Sequence, residues 1–412
     1  MARRRAVITG IGLLTPLGLD ADTTWRALVE GRSGIGPITR FDASPYTSRI
    51  AGEIKDFDPL RYMDRKEARK GDAFIQYALV ASGSALRDSG LSITDQNRDR
   101  IGVIIGSGIG GLPMIEDQHK ILLERGPDRV SPFFIPAIIV NLASGQVSIK
   151  HGLRGPNSAV CTACSTGAHC IGDAAKLIER GEVDAMLAGG AEAAVSPLSV
   201  AGFASLRALS RRNDEPERAS RPFDRDRDGF VIAEGAGVVV LEEREAAKAR
   251  GARVYAEVAG YGMSADAYHL TAPDEDGNGA VRAMEAALRD AQITTDKVDY
   301  VNAHGTSTPQ GDTVEAMAIK RVFGDHAKKL LVSSTKSMMG HALGAAGGIE
   351  TSVCALALHR GTVPPTTNLD HPDEGCDLNY VPHESVQRDI RVALNNSFGF
   401  GGTNACLLLK KV

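Results

Sequence analysis

Cysteine is scarce in this sequence: six residues in 412. That is too few for a disulfide framework in so long a chain, and it points to a reducing, cytosolic setting. Aromatic residues make up only 5%, with a single tryptophan, which argues against a core built on large rings. No window approaches the ~18 consecutive apolar residues that span a bilayer. There is no basic surplus either. The 47 Lys and Arg face 51 Asp and Glu, a net charge of -4, which argues against a chain devoted to nucleic acid. Pro/Ser-rich linkers and low-complexity tracts are missing. The opening MARRRAVITGIGLLTPLG sets a basic cluster before apolar residues, as a signal peptide does. Gly, Thr and Pro interrupt the run, and it reads instead as a buried strand ending in a glycine turn.

Glycine, at 45 residues, is abundant and signals tight turns and close backbone approaches. Strand-like runs at 6–8, 101–105, 185–188, 238–241, 300–302, 330–333 and 406–409 alternate with helical periodicity at 73–89, 165–180, 279–291, 313–323 and 347–359. The alternation predicts an α/β fold. The chain also looks duplicated. AVITGIG (6–12) resembles AEVAGYG (256–262), IGVIIGSG (101–108) parallels VDYVNAHG (298–305), and VVVLEE (238–243) parallels CLLLKK (406–411). AVCTAC (159–164) parallels LVSSTK (331–336), which sets Cys164 opposite Lys336, and KLIERG (176–181) parallels LALHRG (356–361). We read two related halves, 1–252 and 253–412, with a site expected at their junction.

The stretch NSAVCTACSTGAHCIGDAAKLIERG (157–181) holds Cys161, Cys164 and Cys170. A structural zinc site needs four ligands, and no second C-x-x-C exists. The thioredoxin-like context of a redox C-x-x-C is also missing. A single nucleophile fits better. NSAV reads as a strand, CTAC as a turn of small residues, and the remainder as a helix. Cys164 then sits just before the first helical turn, where unsatisfied N–H groups favour a thiolate and lower the thiol pKa. Cys161, earlier on the strand, reads as packing, and Cys170 as core. Of ten histidines, two stand in loops directly after apolar strands: His304 in YVNAHGTSTPQGD and His341 in SSTKSMMGHALGAAGG. Both loops match the Cys164 side of the duplication, so the three residues are expected to meet. DRDRDG (224–229) begins like an EF-hand, but Gly235 stands where the bidentate Glu belongs. GSGIGG (106–111) is only part of a dinucleotide fingerprint, and no Walker A sequence occurs.

CTACSTG, NAHGTSTPQGD, STKSMMGHALGAAGGIE and NSFGFGGTN (396–404), together with RPFDRDRDGFVIAEGAG (221–237), resemble the β-ketoacyl-acyl carrier protein synthases, closest to the elongating synthase II type. The resemblance runs over essentially the whole chain. It implies a thiolase fold, a five-layered αβαβα arrangement of two duplicated halves. It also implies that Cys164 takes an acyl chain from acyl carrier protein (ACP). Malonyl-ACP then loses CO₂ and its carbanion attacks the acyl group.

In that reaction the backbone N–H groups of Cys164 and Phe400 would form the oxyanion hole. His304 and His341 would stabilise the enolate while uncharged. Lys336 would hold the field of the site, with Glu350 as its partner and Asp312 and Glu315 in support. Thr271, Thr306 and Thr308 would contact the phosphopantetheine arm, or serve turn chemistry. Ile109, Phe203, Leu343 and Phe398 would line the acyl pocket, or pack as core, with Phe400 as a gate. Arg65, Lys66, Arg69 and Lys70, and separately Arg207 with Arg211 and Arg212, would steer an acidic carrier or form solvated faces.

The resemblance implies no cofactor beyond the phosphopantetheine carried by the substrate. A structural monovalent cation near the C-terminal loops is compatible with it. A cytosolic homodimer acting in fatty-acid elongation is expected, with a stand-alone polyketide ketosynthase as the alternative. An initiating synthase would use His and Asn, a thiolase would need a different C-terminal cysteine context, and a chain-length factor would lack the nucleophile.

Overall fold

The computed structural model describes residues 4–412, so the first arginine of the basic N-terminal cluster lies outside it. The apolar run that follows forms a strand, β1, which spans Ala6–Leu14 and is buried throughout. It belongs to a ten-stranded sheet with β2 (Ile101–Gly106), β3 (Asn157–Ser158), β4 (Ala185–Glu192), β5 (Gly235–Glu243), β6 (Ala256–Ala265), β7 (Tyr300–Asn302), β8 (Leu331–Ser333), β9 (Val392–Gly399) and β10 (Thr403–Lys410). The strand order is β8-β7-β9-β10-β6-β1-β5-β4-β2-β3.

Read outward from its centre, this is one five-stranded pattern written twice. From β1, the N-terminal strands run β5, β4, β2, β3 with pairings antiparallel, antiparallel, parallel, parallel. From β6, the C-terminal strands run β10, β9, β7, β8 with the same four pairings. The two patterns join where Ala6–Ile8 pairs antiparallel with Ala256–Val258.

Helices complete five layers. Helix α1 (Ala73–Ser89) covers the outer face of the first pattern, and α3 (Asn278–Ala291) covers β6 and β10 of the second. Between the sheet halves lie α2 (Thr166–Glu179) and α4 (Ala346–Arg360), packed on each other. Nearly every residue of α4 from Ala346 to Leu358 is buried, as a helix with sheet on either side requires. The close approach rests on glycine: a Cβ on Gly237 of β5 would strike the backbone of Ile349.

The structure corrects one internal alignment. Cys164 lies in a three-residue 3₁₀ turn, Ala163–Ser165, that leads into α2. The equivalent turn before α4 is Leu343–Ala345. Ala163 and Leu343 share an uncommon backbone, with φ of 48° and 46°. The counterpart of Cys164 is therefore Gly344 and not Lys336. The extra eight residues of the second half fall between strand and turn, and they carry Lys336–His341. Two further expectations shift. The strand before Cys164 is only Asn157–Ser158, because it is the exposed edge of the sheet with one neighbour. Cys161 is exposed rather than packed, since the chain leaves the sheet before reaching it.

Candidate active site

A cavity of about 520 Å³ opens at the ends of the strands where the two halves meet. Among its lining residues are Cys164, His304, His341 and Phe400. The Cys164 Sγ and one ring nitrogen from each histidine all lie within 4.8 Å of one another. His304 and His341, which lie 140 and 177 positions after Cys164, thus converge on it.

Each is held by a distinct local device. Ala163, with its left-handed φ, turns the chain sharply before Cys164, as a nucleophile elbow does. Ser165 ties the elbow to the other half by donating its hydroxyl to the carbonyls of Ser397 (2.9 Å) and Thr403 (2.8 Å). His304 follows β7, and its N–H and that of Gly305 donate to Glu315 at 2.8 and 2.7 Å. Asn396 donates to the same carboxylate at 3.0 Å. His341 is clamped by its backbone to segment 231–233, donating to Val231 O and accepting from Ala233 N. Its ring packs edge-on to Phe230 at 5.5 Å and to His304 at 5.3 Å.

Electrostatics follow from burial. Desolvation pushes the Cys164 thiol up to about 12, opposed by the positive charge of Lys336 and the Phe400 N–H directed at the sulfur. This overturns the expectation of a depressed thiol: burial outweighs the short turn and the helix behind it. Burial also holds both histidines well below their ordinary value, with Lys336 adding to the effect. Both rings are therefore neutral near pH 7, able to donate one N–H each. His304 Nδ1 and both ring nitrogens of His341 have no hydrogen-bond partner within the protein. Lys336 is 1% exposed and ion-paired with Glu350, whose carboxyl burial raises to about 7 against the pull of the lysine. A Cys/His/His set this closely spaced has donor types that ligate metals, but the thiol would have to give up the proton that burial retains.

The supporting acids act on backbone. Asp312 accepts from Phe223 N at 2.8 Å and Ser307 N at 3.2 Å, and lies 3.7 Å from Arg227. Burial raises its carboxyl to about 7 against that arginine. Thr306 and Thr308 share a hydrogen bond of 3.1 Å and line the cavity, as does the exposed Thr271. Ile109, Phe203, Leu343 and Phe398 line it too, the Phe398 ring 5.7 Å from that of His304. Phe400 sits between Gly399 and Gly401, with open space around Gly401. Arg207 lies at the rim, whereas Arg65, Lys66, Arg69 and Lys70 are exposed around a separate short helix (Arg65–Ala68) away from the cavity lining.

Buried oxygens with no partner include Asn302 Oδ1, Glu350 Oε2, Asn395 Oδ1 and Ser397 Oγ. Asn302 and Asn395 are direct neighbours across β7 and β9. An all-oxygen donor set of this kind suits a hard cation, so these residues fit the structural ion compatible with the sequence. Sequence reasoning missed Glu192, which ends the fully buried strand β4 just behind the cavity. A lone carboxylate closing the apolar run AMLAGGAE was the available signal.

The chain matches the family models "Beta-ketoacyl synthase, N-terminal domain" over residues 3–247 and "Beta-ketoacyl synthase, C-terminal domain" over residues 255–370. It is 57% identical to the 3-oxoacyl-[acyl-carrier-protein] synthase 2 of Vibrio harveyi, covering 100% of both chains. Among solved structures it superposes on the ishigamide ketosynthase/chain length factor with a TM-score of 0.93, at 37% identity over 100% of both chains. It also superposes on a type II polyketide ketosynthase, bound to its acyl-carrier protein and a hexaketide, with a TM-score of 0.92, at 36% identity over 100% of both chains. The chain belongs to the beta-ketoacyl synthase family.

Proposed function

We propose that this protein is a 3-oxoacyl-ACP synthase that extends acyl chains in fatty-acid elongation by decarboxylative Claisen condensation. The observation that carries this reading is the meeting of the Cys164 sulfur with two neutral imidazoles at the floor of an apolar-walled cavity. The full-length similarity to elongating synthases weights it above a polyketide ketosynthase. Cys164 Sγ attacks the carbonyl of an acyl-ACP thioester. Because the thiol is held protonated by burial, a neighbouring imidazole takes its proton as the bond forms and passes it to the departing pantetheine sulfur. The N–H groups of Cys164 and Phe400 receive the tetrahedral oxyanion. Malonyl-ACP next loses CO₂, and the enolate oxygen accepts N–H donors from His304 and His341. The nucleophilic carbon then attacks the acyl thioester, the C–S bond to Cys164 breaks, and the departing thiolate takes up one proton from solvent.

Burial keeps both rings unprotonated, and Lys336, neutralised in part by Glu350, adds to the effect. Asp312 and Glu315 hold the loops that carry His304 and the two threonines. Thr271, Thr306 and Thr308 line the route for the pantetheine arm, and Ile109, Phe203, Leu343 and Phe398 surround the acyl chain. Asn302, Glu350, Asn395 and Ser397 would hold a structural cation, which would tie the ends of β7 and β9 to α4.

The partner is ACP, received at Arg207 and at the Arg65–Lys70 cluster. The protein acts as a cytoplasmic homodimer. No helix among the described residues is long and apolar enough to cross a membrane. Support for the dimer comes from the exposed edge strand β3 together with exposed Leu123, Phe133, Ile135 and Ile149 on the segments preceding it. The repeated strand order supports a division into halves at 252/253. The test is intact-mass analysis after incubation with acyl-ACP. An acyl adduct that maps to Cys164, and that disappears with condensing activity in Cys164→Ala, is expected. An adduct elsewhere, or an active Cys164→Ala protein, would overturn the reading.

A further inference from the structure

Glu192 is a fully buried carboxylate that the reaction above does not use. Its Oε2 accepts from Gly108 N at 2.7 Å and Gly344 N at 2.9 Å. Its Oε1 accepts from Ser107 Oγ at 2.6 Å and Ile109 N at 3.2 Å. Three partners are backbone N–H groups and the fourth is a hydroxyl, a set that an ionised, accept-only carboxylate satisfies in full. Burial raises its pKa, with these donors opposing the rise.

The duplication gives this arrangement a meaning. Gly344 is the counterpart of Cys164, whose N–H is assigned to the thioester oxyanion. The corresponding N–H of the second half is thus already taken, by Glu192. The sheet registers align β4 with β9 so that Glu192 corresponds to Phe398. One half therefore presents an open cradle lined by a phenyl ring. The other has the same cradle closed by a carboxylate. Space confirms how tightly it is closed, since a Cβ on Gly108 would come within 2.8 Å of the carboxylate and one on Gly344 within 2.7 Å.

The residues held in this way flank the acyl cavity. Ile109 and Leu343 both line it and pack in one cluster with Cys164. We infer that Glu192 is a positioning residue that fixes the Ile109 and Leu343 walls against each other and so sets how well long acyl chains are accepted. This rests on the acyl-pocket reading above.

The test compares kcat/KM for a short and a long acyl-ACP in wild type and Glu192→Gln, with malonyl-ACP decarboxylation as control. The amide turns an NH₂ toward backbone N–H donors, and an unmet buried hydrogen bond of this kind corresponds to roughly a tenfold effect. The long-to-short ratio is expected to fall about tenfold, while decarboxylation stays within about twofold. Ser107→Ala, which removes one neutral donor, should shift the ratio the same way by less. If Glu192→Gln does not fold, Ser107→Ala decides alone. An unchanged ratio, or an equal fall of all three rates, overturns the inference. A wild-type protein that forms no acyl-Cys164 overturns the function itself, which keeps the two failures distinct.

Discussion

Gly167 of α2 and Gly348 of α4 meet backbone to backbone, and a Cβ on Gly167 would stand 2.5 Å from the Gly348 nitrogen. This contact sets the spacing of the central layer, and it lies three residues after the nucleophile. Neither backbone can give way, because Gly348 itself abuts the carbonyl of Gly237 in the sheet. Gly167→Ala should therefore cost about 1–3 kcal/mol of stability, as overpacking does. It should also displace the elbow, lowering acylation of Cys164 more than malonyl decarboxylation. Urea denaturation and single-turnover acylation would check both, and wild-type values in each would count against it.

Much of this arrangement could be read from the sequence, and the reasons differ by element. Helix α1 at 73–89 was legible to the residue, where a cap aspartate, Asp72, and a terminal Gly90 bracket the apolar period, and the other long helices were legible to within a few residues. The duplication was visible in strands whose residues are dictated by burial on both faces. It failed at the turn before α4, where an insertion shifted the alignment and paired Cys164 with Lys336. There the backbone conformation, and not residue identity, marks equivalence. The positive φ of Ala163 and Leu343 leaves no trace in sequence, since neither is glycine. β9 was missed because Asn395, Asn396 and Ser397 in its middle are polar, yet they are buried, with both asparagines held by hydrogen bonds that only tertiary structure supplies. The thiol pKa was misjudged because a helix N-terminus is local, whereas desolvation is a property of the whole site.

Lys336 and Glu350 are 1% exposed each and bonded to one another. Removing one partner strands the other charge in a low-dielectric site. Lys336→Met and Glu350→Gln should each cost about 3–5 kcal/mol, while the double variant should cost less than the sum of the two. Decarboxylation should fall in Lys336→Met even at temperatures where it remains folded, because the positive charge that reinforces burial in keeping both imidazoles neutral is gone. Additive costs in chemical denaturation would indicate that the pair is not coupled.

The neutral histidines predict a pH signature. His304 and His341 both have folded-state pKa values far below that of the unfolded chain. Above about pH 7 the rings are neutral in both states and contribute no pH dependence to folding. Below about pH 6.5 the unfolded chain binds protons that the folded chain refuses, so stability falls as pH drops. His341→Asn should flatten that acid-side slope. Malonyl decarboxylation should be level in pH from about 6.5 to 8 rather than rising through an imidazole titration. His304→Ala and His341→Ala should each slow it about 10²–10³-fold, the usual effect of losing one donor to a developing oxyanion. A decarboxylation profile with a midpoint near 6.5 would show that one ring titrates normally.

The two basic groups proposed to receive the carrier separate by position. Arg207 lies at the cavity rim, while Arg65, Lys66, Arg69 and Lys70 are exposed on and after a short helix that does not line it. If an acidic carrier is drawn to both, charge reversal at either should raise KM for acyl-ACP and steepen neither kcat nor the acylation of Cys164 by a small pantetheine thioester. Long-range steering is screened over about 8–10 Å at physiological salt, so the penalty at Arg69→Glu/Lys70→Glu should shrink as salt rises. At Arg207→Glu, part of the penalty should survive salt, because there the charge stands where the thioester enters and not merely along the approach. Steady-state kinetics over a salt series distinguish these cases. An unchanged KM at low salt in the Arg69→Glu/Lys70→Glu protein would reduce that cluster to a solvated helix face and leave Arg207 as the docking contact.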